Sequence, residues 1–500
     1  MTEHTEAAVA AGVTPQRVPA LHSWIAGTPE ASEGPERIHP VDPNSGAPST
    51  GEPLPAARET SEAQLERAFI AADAAHADGR WFGLPLDERC GILESFAAGL
   101  DARGAEIARL DALDSGVPIG VTALFGAGNG GTVRDAIGHA RVAAAAAPLA
   151  ADHAEVRVHR VPWGPAALIT PWNAPSAMVV KKMAYALAAG APVVVKPSSA
   201  APHSAELIAE AAAEAGFPAG TWSLVRGGAV LGRAMSEDPR IAAISMTGST
   251  PVGRDIAVRS APRFTRLQLE LGANSPAIVR ADADIDATAE ALISGAWKLS
   301  GQWCEAPRRV YADASVHSAL LDALVTESLR WRVGSSLDPD TQLGPVAFPE
   351  RREELLAQRA ELVAAGARVV NEAPVPSVGC FVPPSILDGN GAEPEGEVFG
   401  PILVVHAVKS DEAALAAASR GHVGLAAYVF TADEAAGRAL GVRLPAGEVK
   451  LNSTSVLDMA PGSEQSFFGA SGLGGHGDAR LLEFFTGARV VGVDRPGLPL

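Results

Sequence analysis

Short apolar runs alternate with helical stretches through the middle of the chain, and this alternation constrains the fold more than any other feature. Strands are predicted at 166–170, 193–196, 222–225 and 241–245, with helices at 176–189 and 202–215. Gly216 and Pro218 end the second of these helices, as glycine and proline commonly do. Strands separated by helices form a parallel sheet with helices on both faces. The sequence therefore predicts an α/β fold.

A second alternating region follows at about 274–452. Its strands are predicted at 277–279, 309–311, 402–405 and 427–430. Ahead of both regions, residues 61–114 carry apolar residues at spacings of three and four, which indicates helix. The last segment, at about 484–493, follows a glycine-rich stretch and is predicted to be a strand. A chain of 500 residues exceeds what one hydrophobic core usually holds, so two or three domains are expected.

Charge and cysteine content narrow the classes of partner. The net charge of -18 and the pI of about 5.1 disfavour nucleic acid, because such a surface repels phosphate. Cys90, Cys304 and Cys380 are too few and too far apart for a disulfide framework or a zinc site, so no metal is expected. The N-terminus lacks a signal-peptide pattern, and the apolar run at 142–151 is shorter than the roughly 20 residues that a membrane span needs. A cytoplasmic protein is predicted.

The first candidate catalytic residues are a cysteine in the segment Gly301-Gln302-Trp303-Cys304 and a carboxylate, Glu270, upstream of it. A thiolate is a strong nucleophile when its pKa is lowered, whereas most lone cysteines are inert buried thiols. A carboxylate can deprotonate water, but on its own Glu270 would more often belong to a structural ion pair. Either residue alone is a weak signal.

Two further motifs follow predicted strands. Asn173 ends the segment Thr170-Pro171-Trp172-Asn173, where a loop can present its amide to an oxyanion. Such a donor is worth roughly 3–4 kcal/mol in comparable sites; the alternative for Asn173 is a turn residue before Pro175. The segment Thr247-Gly248-Ser249-Thr250-Pro251-Val252 leads into a helix, whose first backbone N–H groups suit a pyrophosphate.

Together with Lys196-Pro197-Ser198-Ser199 and Glu397-Val398-Phe399-Gly400-Pro401, these motifs resemble the aldehyde dehydrogenase superfamily. The resemblance runs from about Trp24 to about Val491 and implies an aldehyde dehydrogenase-like α/β architecture. A Rossmann-type NAD(P)-binding domain is expected at 1–138 and 162–272, an α/β catalytic domain at 273–468, and a small β oligomerisation element at 139–161 and 484–500. A homodimer or homotetramer is expected.

The resemblance implies NAD(P)-dependent oxidation of a small-molecule aldehyde to its carboxylic acid. Cys304 would form a thiohemiacetal, hydride would leave to the nicotinamide, and water activated by Glu270 would hydrolyse the resulting thioester. Asn173 would stabilise the oxyanion, and Lys182 would join a proton relay, with a solvated helix lysine as the alternative. Two rival functions stay open. One is acyl transfer to coenzyme A, which Glu270 disfavours; the other is an inactive oligomeric binding or structural protein, which the intact catalytic residues disfavour.

The resemblance also assigns cofactor contacts. They are Thr170, Pro171, Trp172, Lys196, Ser199, Gly228, Gly232, Thr247, Gly248, Ser249, Val252, Leu271, Glu397 and Phe399. Lys196 matches a lysine on the adenosine ribose, and Glu397 matches a carboxylate on the nicotinamide ribose. Ser199 departs from the glutamate that strict NAD users usually have, so Lys196 and Arg226 are free to meet a 2′-phosphate. NAD or NADP is therefore expected, with NADP accepted.

Four residues are predicted to contact the substrate. Lys181 stands where relatives that oxidise carboxylated aldehydes carry a cation, so an acidic or polar aldehyde is expected; a solvated helix lysine is the alternative. Met178 lies three residues earlier on the same helix face. Trp303 precedes the nucleophile and can stack on a substrate, and Phe468 lies in a segment where the family usually has Pro-Phe-Gly-Gly.

Overall fold

The computed structural model describes residues 18–144, 147–148, 155–421, 423–456, 459–460 and 462–493. These residues form two large sheets, one three-stranded sheet and several two-stranded pairs. None of the helices in the described ranges is long and apolar enough to cross a membrane. The predictions for residues 1–17 and 494–500 lie outside the described residues.

The first sheet has eight strands, five of which are parallel neighbours. In spatial order they are Thr28–Glu30, Ser23–Ile25, Trp222–Leu224, Val193–Lys196, Ala166–Ile169, Ala243–Gly248, Arg266–Leu271 and Gly472–Leu473. Val193 and Val195 pack into one apolar cluster while Val194 packs into another, so this strand is buried on both faces. Burial on both faces explains why these strands appear as continuous apolar runs in the sequence.

The second sheet has seven strands and follows the same plan. In spatial order they are Arg368–Glu372, Ser385–Asp388, Ile402–Val408, Pro307–Asp313, Ser275–Val279, Ala426–Phe430 and Glu448–Leu451. All neighbours are parallel except the first pair. The predicted α/β class is confirmed, and the eight predicted strands are present with ends shifted by up to three residues.

Thirteen helices lie in the described residues. They are Glu62–Ala77, Leu86–Ser115, Ile119–Ala144, Pro175–Ala188, Ser204–Glu214, Ala229–Glu237, Thr250–Ser260, Ile285–Trp297, His317–Ser328, Pro349–Ala364, Asp411–Ala418, Glu434–Gly441 and Asp478–Phe484. The predicted helical region at 61–114 is two helices, because Gly79, with φ of +70°, and Pro85 interrupt it. The predictions at 176–189 and 202–215 are confirmed to within two residues.

Helix Ile119–Ala144 is not predicted by the sequence pattern, because its many glycines resemble a loop. Two glycines explain the difference. A Cβ on Gly126 would lie 2.2 Å from the carbonyl oxygen of Gly104, and a Cβ on Gly104 would lie 2.9 Å from that of Gly126. The glycines therefore allow this helix to cross Leu86–Ser115 at very short range, and tertiary packing outweighs their low helix propensity.

The C-terminal strand Thr486–Val491 pairs with Arg157–Pro162, which also pairs with Ala147–Pro148. The predicted strand at 484–493 therefore exists, although its first residue, Phe484, ends helix Asp478–Phe484. The domain boundaries and the oligomerisation role of this small sheet remain predictions.

Candidate active site

The carboxyl ends of the parallel strands in the first sheet point to one edge, and the predicted motifs meet there. A cavity of roughly 190 Å³, called the catalytic cavity below, lies at this edge. Its lining includes eleven of the predicted site residues: Pro171, Trp172, Asn173, Thr247, Gly248, Ser249, Glu270, Leu271, Cys304, Glu397 and Phe399. The last three come from the part of the chain that carries the second sheet, so this cavity lies between the two large sheets.

The loop before the nucleophile has an unusual backbone. Leu299, Ser300 and Gly301 have φ values of +54°, +58° and +75°, within the short 3-10 helix Lys298–Gly301. The left-handed region costs a residue with a Cβ on the order of 1–3 kcal/mol, and such strain concentrates at functional sites. A Cβ on Gly301 would also lie 2.4 Å from the backbone nitrogen of Pro401. Two sequence motifs distant in the chain are therefore in direct contact at Gly301.

Buried hydrogen bonds hold this strained loop in place. Ser300 donates through Oγ to the carbonyl of Gly116 at 2.8 Å and accepts from the backbone N–H of Gly344 at 3.0 Å. The Gln302 amide donates to the carbonyl of Ser115 at 2.9 Å and accepts from the backbone N–H of Ala347 at 2.9 Å. The loop is thus fixed on both sides by backbone groups, which positions the side chain that follows it.

Cys304 points its thiol toward Glu270, and the distance from Sγ to Oε1 is 4.0 Å. Burial raises the pKa of the Cys304 thiol well above its usual value, and the neighbouring carboxylates Glu270, Glu305 and Glu397 raise it further. The thiol is therefore protonated at neutral pH in the protein alone, so a base must receive its proton before or during attack. Glu270 is the nearest carboxylate to Sγ in the catalytic cavity.

Glu270 is the second-last residue of strand Arg266–Leu271 and is 5% exposed. Its Oε2 accepts from the Thr247 hydroxyl at 3.3 Å and lies 3.7 Å from Nδ1 of His476. Lys182 is buried behind it and donates to Ser245 Oγ at 2.7 Å. Burial lowers the pKa of Lys182 to about 8 against an opposing effect of Glu270, so this lysine exchanges protons near neutrality.

Asn173 donates through Nδ2 to the carbonyl of Gln302 at 2.8 Å. A side-chain amide has two N–H donors, so one remains for an oxyanion formed at Cys304. The backbone beside it is held by helix Pro175–Ala188, where Ser176 donates to the buried Asp111 carboxylate at 2.5 Å. Burial raises the pKa of Asp111 to about 7. The amide is therefore positioned by both the nucleophile loop and its own helix.

Glu397 and Phe399 close the opposite wall. The Glu397 carboxylate accepts from the backbone N–H of Ala273 at 3.2 Å, and burial raises its pKa to about 7. Phe399 packs edge-on against Trp172, with ring centroids 5.3 Å apart. Hydroxyl groups of a ribose are suitable donors for the Glu397 carboxylate.

A second cavity of roughly 570 Å³, called the adenosine cavity below, lies at the same edge of the first sheet. Its lining includes five predicted cofactor residues: Lys196, Ser199, Gly228, Gly232 and Val252. Burial lowers the pKa of Lys196 to about 8, and none of the described residues accepts a hydrogen bond from its ammonium group. An ammonium that lines a cavity and has no acceptor among the described residues fits the hydroxyl or phosphate oxygens of a nucleotide.

The prediction that Arg226 meets a 2′-phosphate is wrong. Arg226 is 1% exposed, and its guanidinium donates to the carbonyls of His22 and Pro202, at 2.7 Å and 3.1 Å. It also forms an ion pair with the buried Glu206 carboxylate. None of these partners lines the adenosine cavity, because the long side chain turns inward. Ser199 instead donates through Oγ to the carbonyl of Gly227 at 3.2 Å.

Six predicted residues do not line either cavity. Thr170 and Lys182 are buried beside the catalytic cavity. Lys181 forms an ion pair with Asp478 at 3.5 Å. Trp303 packs against Val117 and Ala174 in an apolar cluster that touches Cys304, and the Lys298 ammonium lies 4.6 Å from the centre of its ring. Of the remaining two residues, Met178 is half-buried and Phe468 is 46% exposed.

Several lining residues are missed by the sequence analysis. Phe348, Arg351 and Glu354 line the catalytic cavity from helix Pro349–Ala364 and its N-cap, and Arg233 lines the adenosine cavity. No motif marks them, because they come from helices whose pattern shows only amphipathicity. Glu305 and His476, which do not line either cavity, are also not predicted. The position of Glu305 directly after the nucleophile is a sequence signal that could have identified it.

The comparisons with known proteins agree with this arrangement. The model of the Aldehyde dehydrogenase family matches residues 42–491. A betaine aldehyde dehydrogenase of Cereibacter sphaeroides is 33% identical over 468 residues, which are 90% of this chain and 95% of that protein. A non-phosphorylating aspartate-semialdehyde dehydrogenase of Halomonas elongata is 34% identical over 407 residues, 77% of this chain and 79% of that protein.

Solved structures are similar over almost the whole chain. A mutant of aldehyde dehydrogenase C from Pseudomonas syringae, complexed with NAD+ and octanal, has a TM-score of 0.87 and 28% identity, covering 97% of this chain and 99% of that one. HpcC from Thermus thermophilus has a TM-score of 0.88 and 31% identity, covering 96% of this chain and 95% of that one. The predicted superfamily and its fold are confirmed.

Proposed function

The chain belongs to the aldehyde dehydrogenase family, and from this premise we propose that it oxidises an aldehyde to the free carboxylic acid with Cys304 as the nucleophile. Its cofactor is NAD or NADP, as is general for the family. The observation that carries the proposal is the convergence of three groups in one cavity: the Cys304 thiol, the Glu270 carboxylate 4.0 Å from it, and the Asn173 amide.

Cys304 forms the carbon–sulfur bond in the first step. Its thiol loses a proton to a base, and the sulfur adds to the aldehyde carbon to give a thiohemiacetal oxyanion. We assign the second N–H of the Asn173 amide to that oxyanion; the support is that the amide lines the cavity and donates only one N–H to Gln302. A base is needed in this step, because burial raises the pKa of Cys304 and the thiol is not already ionised.

The bound nicotinamide cofactor supplies the acceptor for the hydride that the aldehyde carbon gives up. This chain offers two sets of groups that fit such a cofactor. Lys196 and Ser199 in the adenosine cavity suit a ribose or a phosphate, and Glu397 in the catalytic cavity suits the hydroxyls of a second ribose. Strand Ala243–Gly248 leads into helix Thr250–Ser260 between them, where backbone N–H groups suit a pyrophosphate.

We assign Glu270 the activation of water in the second step. Water attacks the carbonyl carbon of the Cys304 thioester and gives a proton to Glu270. The carbon–sulfur bond then breaks. Lys182 and His476 beside Glu270 support onward movement of that proton, because both lie near the carboxylate and one has a pKa of about 8. Acyl transfer to coenzyme A is the rival outcome; product analysis with and without coenzyme A separates it from hydrolysis.

We propose that NADP is accepted as well as NAD. The support is a serine at position 199 and the Lys196 ammonium beside it, with no contribution from Arg226. A glutamate at position 199 would place a negative charge against a 2′-phosphate. Ser199→Glu should therefore shift the ratio of the two cofactor affinities toward NAD, and an unchanged ratio would count against this assignment.

The charge of the aldehyde is a separate question. The names of the similar proteins cover a cationic aldehyde, betaine aldehyde, and an acidic one, aspartate semialdehyde. The prediction that Lys181 binds a substrate carboxylate requires its ammonium to leave Asp478, its present partner at 3.5 Å. Lys181→Ala tests it, since the efficiency with acidic aldehydes must then fall while that with neutral ones stays.

We further propose that the protein works as a cytoplasmic homodimer or homotetramer. Strand Thr486–Val491 lies at the edge of its sheet and exposes Val490 and Val491, a combination that usually needs a partner strand. The cysteines at 90, 304 and 380 are all free thiols, which suits a reducing compartment. Light scattering on the purified protein tests the assembly, and a monomer would contradict it.

The deciding experiment measures absorbance of the reduced nicotinamide with NAD+ or NADP+ and a panel of aliphatic, aromatic and charged aldehydes. Turnover is expected for the wild type and must vanish in Cys304→Ala. Cys90→Ala is the matched control, because Cys90 is a buried thiol on helix Leu86–Ser115, far from the cavity. If no aldehyde turns over and an aldehyde-analogue label fails to modify Cys304, the inactive binding or structural protein is the better explanation.

A further inference from the structure

Glu305 directly follows the nucleophile and has no role in the chemistry proposed above. It is 8% exposed. Its carboxylate accepts a hydrogen bond from Nε2 of Gln465 at 3.1 Å, and its backbone carbonyl accepts one from the Tyr428 hydroxyl at 2.6 Å. Charged side chains are almost never this buried without a partner of opposite charge. A second buried carboxylate next to Cys304 therefore calls for an explanation.

The partner of Glu305 lies beside the reaction centre. Gln465 belongs to the two-stranded pair Gln465–Ser466 and Gly475–His476, and it stands opposite His476 in that pair. His476 in turn lies 3.7 Å from the Glu270 carboxylate. One rung of this strand pair thus touches Glu270 and Glu305, so the two carboxylates flank Cys304.

The cations near Glu305 are committed elsewhere. Lys298 donates to the carbonyl of Thr454 at 2.6 Å and lies over the Trp303 ring. Lys450 donates to the carbonyl of Ser455 at 2.5 Å and pairs with Glu448 at 3.3 Å. Within the described parts of the chain, no Lys, Arg or His nitrogen lies within 4.0 Å of the Glu305 carboxylate. The negative charge of Glu305 is balanced only at longer range.

Gln465 provides a second, independent observation. Its Oε1 is buried, and none of the described residues donates a hydrogen bond to it. Its Nε2 is fixed toward Glu305, which also fixes the direction of Oε1. The Glu305 carboxylate and the Gln465 amide oxygen are therefore two buried acceptors on contacting side chains. Their chemical complement is a cation that carries N–H donors.

Resting on the proposed oxidation, we propose that Glu305 and Gln465 form the subsite for a protonated amino group of the aldehyde substrate. The subsite takes a primary or secondary ammonium in preference to a quaternary one, because only the former can donate to Gln465 Oε1. A short aldehyde is expected, because Gln465, the partner of Glu305, stands opposite His476, which lies 3.7 Å from Glu270. Lys181 does not oppose such a substrate, because its charge is paired with Asp478.

The titration of Glu305 is consistent with this subsite. Burial is the main cause that raises its pKa to about 7, with Glu448 and Glu270 adding to the effect and Gln465 and Lys450 opposing it. A bound ammonium would favour the ionised carboxylate and lower that pKa. A bound cation therefore completes the subsite by favouring the ionised form of the Glu305 carboxylate.

The test compares 3-aminopropanal with butanal, in which a methyl group replaces the ammonium. The wild type should oxidise 3-aminopropanal with a kcat/KM roughly 10- to 100-fold higher than that for butanal. Glu305→Gln should remove this advantage, and the efficiency with butanal should not fall, because the substitution removes a charge that raises the pKa of Cys304. Glu464→Gln is the matched control, because Glu464 is an exposed carboxylate next to Gln465 and its substitution makes the same change in charge.

Two further measurements keep the outcome clear. Gln465→Met should lower the efficiency for 3-aminopropanal alone, by a smaller factor, and binding of 3-aminopropan-1-ol measured by calorimetry should weaken in both variants. The subsite is refuted if wild type shows no preference for the amine, or if Glu305→Gln lowers both substrates equally. Failure of the wild type to oxidise either aldehyde would instead count against the proposed function. A trimethylammonium aldehyde favoured over 3-aminopropanal would contradict the need for N–H donors.

Discussion

The catalytic cavity and the adenosine cavity begin at the same edge of the first sheet, yet they are built differently. Every residue predicted for the adenosine cavity ends a strand of that sheet, follows one, or lies on the helix after it. The catalytic cavity adds Cys304, Glu397 and Phe399, which come from beyond Leu271 and belong to the second half of the chain. The adenosine cavity is formed by a single sheet, whereas the catalytic cavity exists only when the two large sheets are packed together.

The two cavities also differ in how tightly their groups are held. In the adenosine cavity Lys196 has no acceptor among the described residues, and glycines leave room for a ligand. In the catalytic cavity three successive left-handed residues and four buried hydrogen bonds fix the nucleophile loop. Binding tolerates adjustment, whereas bond formation needs atoms at set distances. Changes in the catalytic cavity should therefore stop the reaction, and changes in the adenosine cavity should shift affinity.

Glu270→Gln should give the largest effect among substitutions that spare the nucleophile. Without a base for water the thioester persists, so steady-state turnover should fall by about 10²–10⁴-fold. The first turnover should survive as a burst of reduced nicotinamide, close to one equivalent of Cys304. Rapid mixing with NAD+ and a good aldehyde measures both phases.

The matched control for that experiment is Glu354→Gln, a carboxylate that lines the same cavity and pairs with Arg351 at its rim. Its steady-state rate should stay within a few-fold of wild type. Loss of the burst in Glu270→Gln would mean that this carboxylate is the base for the thiol as well, and unchanged turnover would remove it from the mechanism.

Asn173→Ala should lower kcat/KM by about 10²–10³-fold, because it removes a donor aimed at the oxyanion. It also removes the hydrogen bond to Gln302, so part of the loss would reflect a displaced nucleophile loop. The rate of Cys304 alkylation by a small haloacetamide separates the two causes, since it reports on the thiol without an oxyanion. A large fall in kcat/KM with unchanged alkylation supports the oxyanion role; a fall of less than threefold contradicts it.

Gly301→Ala should destabilise the folded protein by roughly 1–3 kcal/mol, because alanine must adopt a φ of +75° there. Its Cβ would also press on Pro401, which displaces Cys304 and lowers activity. The thermal midpoint and kcat measure the two effects. Gly131→Ala is the control: it lies on helix Ile119–Ala144 with open space around its Cβ and should stabilise slightly. Equal midpoints for Gly301→Ala and wild type would show that the loop is not strained.

The comparison also separates what the sequence predicts from what it does not. For the adenosine cavity the resemblance names Lys196, Ser199 and the two glycines, and alternation adds that they share one edge, because the strand ends of a parallel sheet lie together. Cys304 and Glu270 could be paired only through the resemblance to a family, because no periodicity in the chain places one sheet against the other.

Arg226 and Glu305 each show a property that the sequence does not predict. Arg226 was expected at a phosphate because the sequence gives its charge and its place in a motif, but not the direction of a long side chain, which here turns inward to Glu206. Glu305 is not singled out by the sequence, because a carboxylate usually lies on the surface and no pattern marks this one as buried. Its burial is decided by Tyr428 and Gln465, which are 123 and 160 residues away in the chain. Side-chain direction and burial are tertiary properties.

The smallest effect should appear in the adenosine cavity when the pH is raised. Burial lowers the pKa of Lys196 to about 8, so its ammonium loses its proton between pH 7 and 9. The amine no longer attracts a 2′-phosphate, and the Kd for NADP+ should rise about tenfold over that range while the Kd for NAD+ changes much less. Fluorescence titration of each cofactor measures both. Lys196→Met should weaken NADP+ at pH 7 and abolish the pH dependence. If NADP+ binding stays constant with pH in wild type, or still varies in Lys196→Met, the cation that meets the phosphate is a different one, and Arg233, which lines the same cavity, is the next residue to replace.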